Sequence, residues 1–187
     1  LKNFRKYLEI KKAICQENFT DKDILLLLKK HNIPVFYQEK RELDRLAKNN
    51  HQGVILEVRD FDYKNLDEII HDKDKSLLVI LDHLEDPHNL GAIVRTCEAA
   101  QVDGIILPVN RSVSVNETVM KTSVGALYNV DICQVTNLNN TIKQLKREGY
   151  WIIGADMDGE NYKELQYPEK CALIIGSEGF GFDNVSA

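Results

Sequence analysis

The sequence has no apolar run long enough to cross a bilayer. Its longest, Ile24–Leu28, is bounded by Asp23 and Lys29, against the roughly 20 apolar residues a spanning helix needs. The first residues are charged and lack the apolar stretch of a signal peptide. Both absences predict a cytoplasmic protein with no membrane partner. Cysteine is sparse: Cys15, Cys97, Cys133 and Cys171 lie far apart, none in a C-x-x-C pair. That predicts reduced, buried thiols and no metal site. Repeats and low-complexity tracts are missing. So are the standard nucleotide fingerprints. No G-x-x-x-x-G-K-[ST] occurs, and "GSEGFG", residues 176–181, reads G-x-x-G-x-G, not G-x-G-x-x-G. A nucleotide-dependent oxidoreductase on a doubly wound sheet is thereby disfavoured.

What is present is an ordinary globular balance: 187 residues, 43% hydrophobic and 28% charged, with a net charge of −5. The charge is uneven. Residues 1–50 hold 12 Lys/Arg against 7 Asp/Glu, and residues 51–187 hold 12 against 22. A basic front is compatible with phosphate contact, although charge alone favours the plainer reading of a solvated helical surface. The chain starts at Leu1 and stops at Ala187 just after a loop, which suggests a piece of a longer product.

Alternating short elements fill the front: strand "YLEIKKAI", helix "TDKDILLLLKKHN" capped by Thr20 or Asp21, strand "IPVFY", helix "KRELDRLAKNN" and strand "GVILEV". They predict a small α/β domain over residues 1–58. Residues 59–75, highly charged, suit a linker with one short helix. From Ser76 onward, unbroken apolar runs ("LLVIL", "GIILP", "VDICQV", "YWII", "ALII") alternate with helical patterns, predicting an α/β domain over residues 76–187 with a parallel sheet covered on both faces.

Ligands of such sheets bind beyond the carboxyl ends of the strands. Three stretches leave strand ends with unusual chemistry: "DHLEDPHNLGAIVRT" (82–96), "GADMDG" (154–159) and "GSEGFG" (176–181). Singly, each has a plain explanation. "DPHN" makes a good turn, Asn89 a good N-cap, His88 a surface turn residue, Arg95 a solvated helix residue, and Glu178 an exposed loop acid.

Together, "DPHNLGAIVRTCEAA" and "LIIGSEGFGF" resemble the first two motifs of the SpoU-type (TrmH-type) RNA 2′-O-ribose methyltransferases, within the SPOUT superfamily. "KTSVGA" (121–126) is similar to that family's mid-domain segment, and "NHQGVILEV" (50–58) to the end of the small ribosomal-protein-like substrate-binding domain many members carry. The resemblance implies a trefoil-knotted, homodimeric α/β catalytic domain that uses S-adenosylmethionine. It implies methylation of a ribose 2′-hydroxyl in RNA, with a guanosine of large-subunit (23S) ribosomal RNA the first expectation. A tRNA 2′-O-methyltransferase and a non-catalytic RNA-binding module are the alternatives. The family's third, "SLN"-like motif would follow residue 187, and a glycine-containing opening would precede Leu1. The chain would then be incomplete at both ends and lack the knot-completing segment.

By motif match the resemblance assigns Arg95, Asn89 and Glu178 to catalysis. Gly154, Ala155, Ile175, Gly176, Ser177 and Gly179 would bind the cofactor. Lys2, Arg5, Lys6, Lys11 and Lys12 would contact RNA. A guanidinium stays protonated in proteins, so Arg95 suits a phosphate clamp and alkoxide stabiliser better than a base. Asn89 would orient Arg95 or the ribose, and Glu178 would pair with Arg95 or fix its loop.

Overall fold

The computed structural model describes residues 9–47, 50–70, 74–155, 159, 161, 163–164 and 166–176. The chain divides into two compact units, 1–60 and 61–187.

The first unit runs β1 (Ile10–Gln16), α1 (Lys22–Lys30), β2 (Val35–Gln38), α2 (Lys40–Leu46) and β3 (Val54–Val58). β1 is central, parallel to β2 and antiparallel to β3. Of the two expected caps for α1, Asp21 is used: its carboxylate accepts the N–H groups of Asp23 and Ile24, each at 3.1 Å. Pro34 cannot continue a helix, and its carbonyl accepts the Ala13 N–H at 2.8 Å, aligning β2 with β1. Ala13, Cys15 and Leu28 form the core, with Ile24, Val35, Val54 and Leu56 packed around them.

The second unit holds α3 (Leu66–Ile69), β4 (Ser76–Leu81), α4 (Pro87–Ala99), β5 (Gly104–Pro108), α5 (Glu117–Thr122), a 3₁₀ turn (Ala126–Tyr128), β6 (Ile132–Val135), α6 (Leu138–Arg147), β7 (Trp151–Gly154) and β8 (Lys170–Ile175). The five strands are parallel throughout, in the order β6-β5-β4-β8-β7. Their alternation splits the apolar runs between two cores. Val79, Leu81, Ile105 and Leu107 meet Leu90, Val94 and Cys97 of α4 on one face. Leu78, Ile80, Ile106 and Ile174 meet Ile69, Ile142 and Leu145 on the other. A strand buried on both faces has no polar positions to alternate with, which explains the continuous runs.

β8 sits between β4 and β7, although about ninety residues separate it from β4 in sequence. Register is locked along its length, Ser76 facing Lys170 and Leu81 facing Ile175. At the amino end the buried Tyr150 hydroxyl donates to Ser76 Oγ at 2.9 Å, satisfying two groups that would otherwise be buried unpaired.

The polar stretch after the first unit carries the short helix expected there, and it is also anchored. Lys64 donates its backbone N–H to the Ile132 carbonyl at 2.9 Å. The Tyr63 hydroxyl accepts the Val115 N–H at 2.7 Å, and Ile69 is fully buried. All four cysteines are buried free thiols. Burial pushes the Cys97 thiol up to about 11. Burial, with the Glu68 and Asp67 charges, does the same to Cys133. Both stay protonated and poorly nucleophilic at neutral pH. No helix among the described residues is long and apolar enough to cross a membrane.

Candidate active site

The strand order brings together the ends that matter. The three stretches singled out in the sequence leave β4, β8 and β7, which are neighbours. Strands lie roughly 4.8 Å apart, so the three exits fall within about 10 Å. Backbone hydrogen bonds stitch them. The Asp82 N–H donates to the Ile175 carbonyl, and the Ala155 N–H to the Ile174 carbonyl, both at 3.0 Å. Gly154, Ala155 and Gly176 are exposed at this edge, and Ile175 is half-buried between them. Ala155 thus spends its donor on the sheet, so a ligand here must use other backbone groups.

The loop after β4 turns sharply at His83, whose φ is +55°. His83 Nδ1 lies 2.9 Å from Asp82 Oδ1. α4 begins earlier than the sequence suggested. Asp86, not Asn89, is its N-cap, accepting the His88 N–H at 2.8 Å, and Pro87 occupies the first helical position. "DPHN" is therefore a helix start, and His88 is an exposed residue of the first turn, not of a free-standing turn. The reason is physical: a proline at this position loses no hydrogen bond and arrives with a helical φ.

Asn89 and Arg95 both project from α4 and are exposed. Six positions on a helix place them about 120° apart around the axis and about 9 Å apart along it. They do not share a stripe, so a direct Asn89–Arg95 contact is not what the helix offers. Arg95 lies on the flank of Gly91, toward α5, which α4 packs against. It makes no hydrogen bond or ion pair among the described residues. Glu178, Ser177 and Gly179 lie outside the described residues, as do Lys2, Arg5 and Lys6 and any knotted path the chain end follows. Lys11 is exposed. Lys12 is engaged, 2.8 Å from Glu57 across the β1–β3 ladder. Its hydrogen bond holds the Glu57 carboxyl below the usual range, with Lys11 adding a smaller, longer-range attraction.

Two features escaped the motif reading. One is the α4–α5 contact, where a β-carbon on Gly91 would sit 2.0 Å from Thr122 Oγ1. The other is the loop between β5 and α5, fastened to the β4–α4 loop by the Val113 N–H donating to the Leu84 carbonyl at 2.7 Å. No group of three or more His, Cys, Asp or Glu side chains that could hold a metal exists among the described residues.

The second unit is a parallel α/β domain whose strand ends carry the candidate site, and the first is a small mixed-sheet unit. Comparison with known proteins makes the class specific. Residues 76–186 match the SpoU rRNA methylase family, and residues 1–64 match the "RNA 2'-O ribose methyltransferase substrate binding" family. A protein of Staphylococcus haemolyticus named as a TrmH family tRNA/rRNA methyltransferase is 44% identical over 168 residues, covering 87% of this chain and 68% of the relative. Its namesake in Staphylococcus aureus is 40% identical over 184 residues, covering 94% and 74%. Among solved structures, the SpoU methyltransferase AviRb of Streptomyces viridochromogenes, in complex with AdoMet, superposes with a TM-score of 0.82 at 19% identity, over 95% of this chain and 69% of its own. An AdoMet-bound rRNA methyltransferase of Sinorhizobium meliloti gives 0.74 at 22%, over 92% and 65%. The chain belongs to the SpoU rRNA methylase family and is an RNA methyltransferase.

Proposed function

We propose that this chain transfers a methyl group from S-adenosylmethionine to a ribose 2′-hydroxyl of RNA, with a guanosine of large-subunit ribosomal RNA the first expectation, and that it works as a cytoplasmic homodimer. The observation that carries the reading is the adjacency of the β4, β8 and β7 ends, from which the three motif stretches depart. The ribosomal preference is supported by the family to which residues 76–186 belong. The relatives' names admit tRNA as well, and tRNA is the second reading.

The edge suits the cofactor. Exposed backbone at Gly154, Ala155 and Gly176 offers polar groups with little side-chain obstruction, and the half-buried Ile175 offers an apolar surface for a flat ring. S-adenosylmethionine, when bound, supplies an activated sulfonium methyl. Ser177 and Gly179 would extend that contact. Arg95 would hold a phosphate beside the target ribose and stabilise the alkoxide as the hydroxyl proton leaves to phosphate or solvent. Asn89, on a different stripe of α4, would bind the ribose and not Arg95. Glu178 would fix the loop after β8. Ordering the reacting groups in line can lower the barrier by roughly 7–11 kcal/mol in favourable cases.

The first unit would hold RNA through Lys2, Arg5, Lys6, Lys11 and Lys12. Ion pairing distinguishes two of these. Lys11→Ala is expected to weaken RNA binding and flatten the slope of log K against log salt by about 0.7 to 1. Lys12→Ala should do less, because Glu57 already occupies its ammonium. Titrations at several salt concentrations check this, and equal slopes for wild type and Lys11→Ala would remove Lys11 from the interface.

Mapping 2′-O-methyl marks in ribosomal and transfer RNA from a strain lacking this protein, with and without its restoration, tests the whole reading. Loss of one ribosomal mark is the expected result. Loss of a tRNA mark selects the second reading, and loss of none leaves an RNA-binding module.

A further inference from the structure

The loop between β5 and α5 carries a cation that no motif includes. Just past β5, the Val109 N–H donates to the Val135 carbonyl at 2.9 Å, beside the end of β6. Four residues later Val113 is bonded to Leu84, in the loop after β4. Between these anchors the chain crosses the carboxyl edge of the sheet, from the β6 side to the β4 side. Arg111 stands midway. It is exposed, and it has no hydrogen bond or ion pair among the described residues. Its φ is +56°, a conformation that glycine adopts more cheaply than any residue with a β-carbon. The fold gains nothing visible from an arginine here and would be better served by glycine.

Charge gives the side chain a use. The stretch 82–94 contains Asp82, Glu85 and Asp86 and no Lys or Arg. An RNA strand approaching that edge meets carboxylates until it reaches Arg95. Arg111 is the one charged residue between Pro108 and Glu117, and the Val113–Leu84 bond holds its loop against the acidic one. Resting on the methyltransferase reading above, we propose that Arg111 is a positioning residue for the substrate: its guanidinium holds a backbone phosphate of a nucleotide flanking the target ribose, while Arg95 serves the target itself. A planar fork suits a phosphate, and two separated forks fix the strand's direction as one cannot.

The test uses the full-length protein as wild type, Arg111→Gly, Arg111→Lys, and Lys146→Ala as a control cation. Lys146 is exposed near the carboxyl end of α6, at the opposite edge of the sheet where β7 begins. For Arg111→Gly we expect the RNA KM to rise about tenfold, as for one lost charge-assisted contact. The salt slope should fall by about 0.7 to 1. kcat at saturating RNA and S-adenosylmethionine affinity should stay within about twofold, and Tm should be unchanged or higher because backbone strain is relieved. Arg111→Lys should restore most of the salt slope but only part of the KM, because charge returns without the fork. Lys146→Ala should match wild type throughout. Wild-type KM and salt slope in Arg111→Gly overturn the proposal, as does a parallel fall in Tm, kcat and cofactor affinity, or an equal RNA defect in Lys146→Ala. A wild-type protein that transfers no methyl to RNA overturns the methyltransferase reading and this inference with it, so the two failures are told apart.

Discussion

Replacing Arg95 by lysine is expected to slow methyl transfer by about a hundredfold to a thousandfold, with S-adenosylmethionine affinity within about twofold of wild type. The magnitude is that of losing one donor aimed at charge that develops in the transition state. Lysine keeps the positive charge, so electrostatic attraction of RNA survives. It loses the planar pair of donors that can span a phosphate oxygen and a developing alkoxide together. The fold should not notice. Arg95 is exposed, has no partner among the described residues, and the two side chains have nearly equal helix propensity. Single-turnover transfer, equilibrium cofactor binding and a melting curve on the same preparation separate these quantities. Wild-type turnover would remove Arg95 from the mechanism. A matched loss of cofactor affinity would move it from the substrate side of the site to the cofactor side.

Strands were legible because burial on both sheet faces leaves an unbroken apolar signature, as in Leu77–Leu81 and Ala172–Ile175. Order within the sheet was not. Placing β8 beside β4 depends on register between residues some ninety positions apart, and nothing local in either run announces the pairing. The start of α4 was misplaced for a different reason. "DPHN" satisfies turn chemistry and N-cap chemistry at once, and the proline at the first helical position decides for Asp86. Within the stretch 59–75, which its charges mark as a linker, residues 61–70 are anchored to the second unit's core. Their anchors, Phe61, Tyr63 and Ile69, are few, and Phe61 and Tyr63 meet edge-on at a centroid distance of 5.0 Å. At the site, motif resemblance nominated Asn89 and Arg95 together, and only helical geometry reveals that six positions set them on different stripes. Arg111 belongs to no motif. Its signal is a backbone angle of +56° and a side chain with no partner among the described residues, neither of which a sequence displays.

Gly91→Ala should destabilise the second unit, against the ordinary ranking of helix propensities. In an unconstrained helix interior alanine is better than glycine by about 1 kcal/mol. Here the new β-carbon would fall 2.0 Å from Thr122 Oγ1, 2.7 Å from Thr122 Cβ and 3.1 Å from the Ser123 backbone nitrogen. The hydroxyl cannot simply swing aside, since it donates to the Thr118 carbonyl at 2.6 Å, and Thr122 Cβ is rigid with its own helix. α4 and α5 must therefore move apart, opening the core that Leu90, Val94 and Val119 close. Overpacking of this kind costs about 1–3 kcal/mol, and more where backbone has to shift. We expect a net loss of about 2 kcal/mol, or roughly 4–8 °C in the melting temperature of a protein this size. Thr122→Ala should not rescue it, because the β-carbon of residue 122 remains. Thr122→Gly in the double variant should recover part of the loss relative to Thr122→Gly alone, which a double-mutant cycle reads directly. Since α4 also carries Asn89 and Arg95, displacing it should lower methyl transfer even at temperatures where Gly91→Ala is fully folded. If Gly91→Ala melts at or above the wild-type temperature, the two helices are not in the close contact described here.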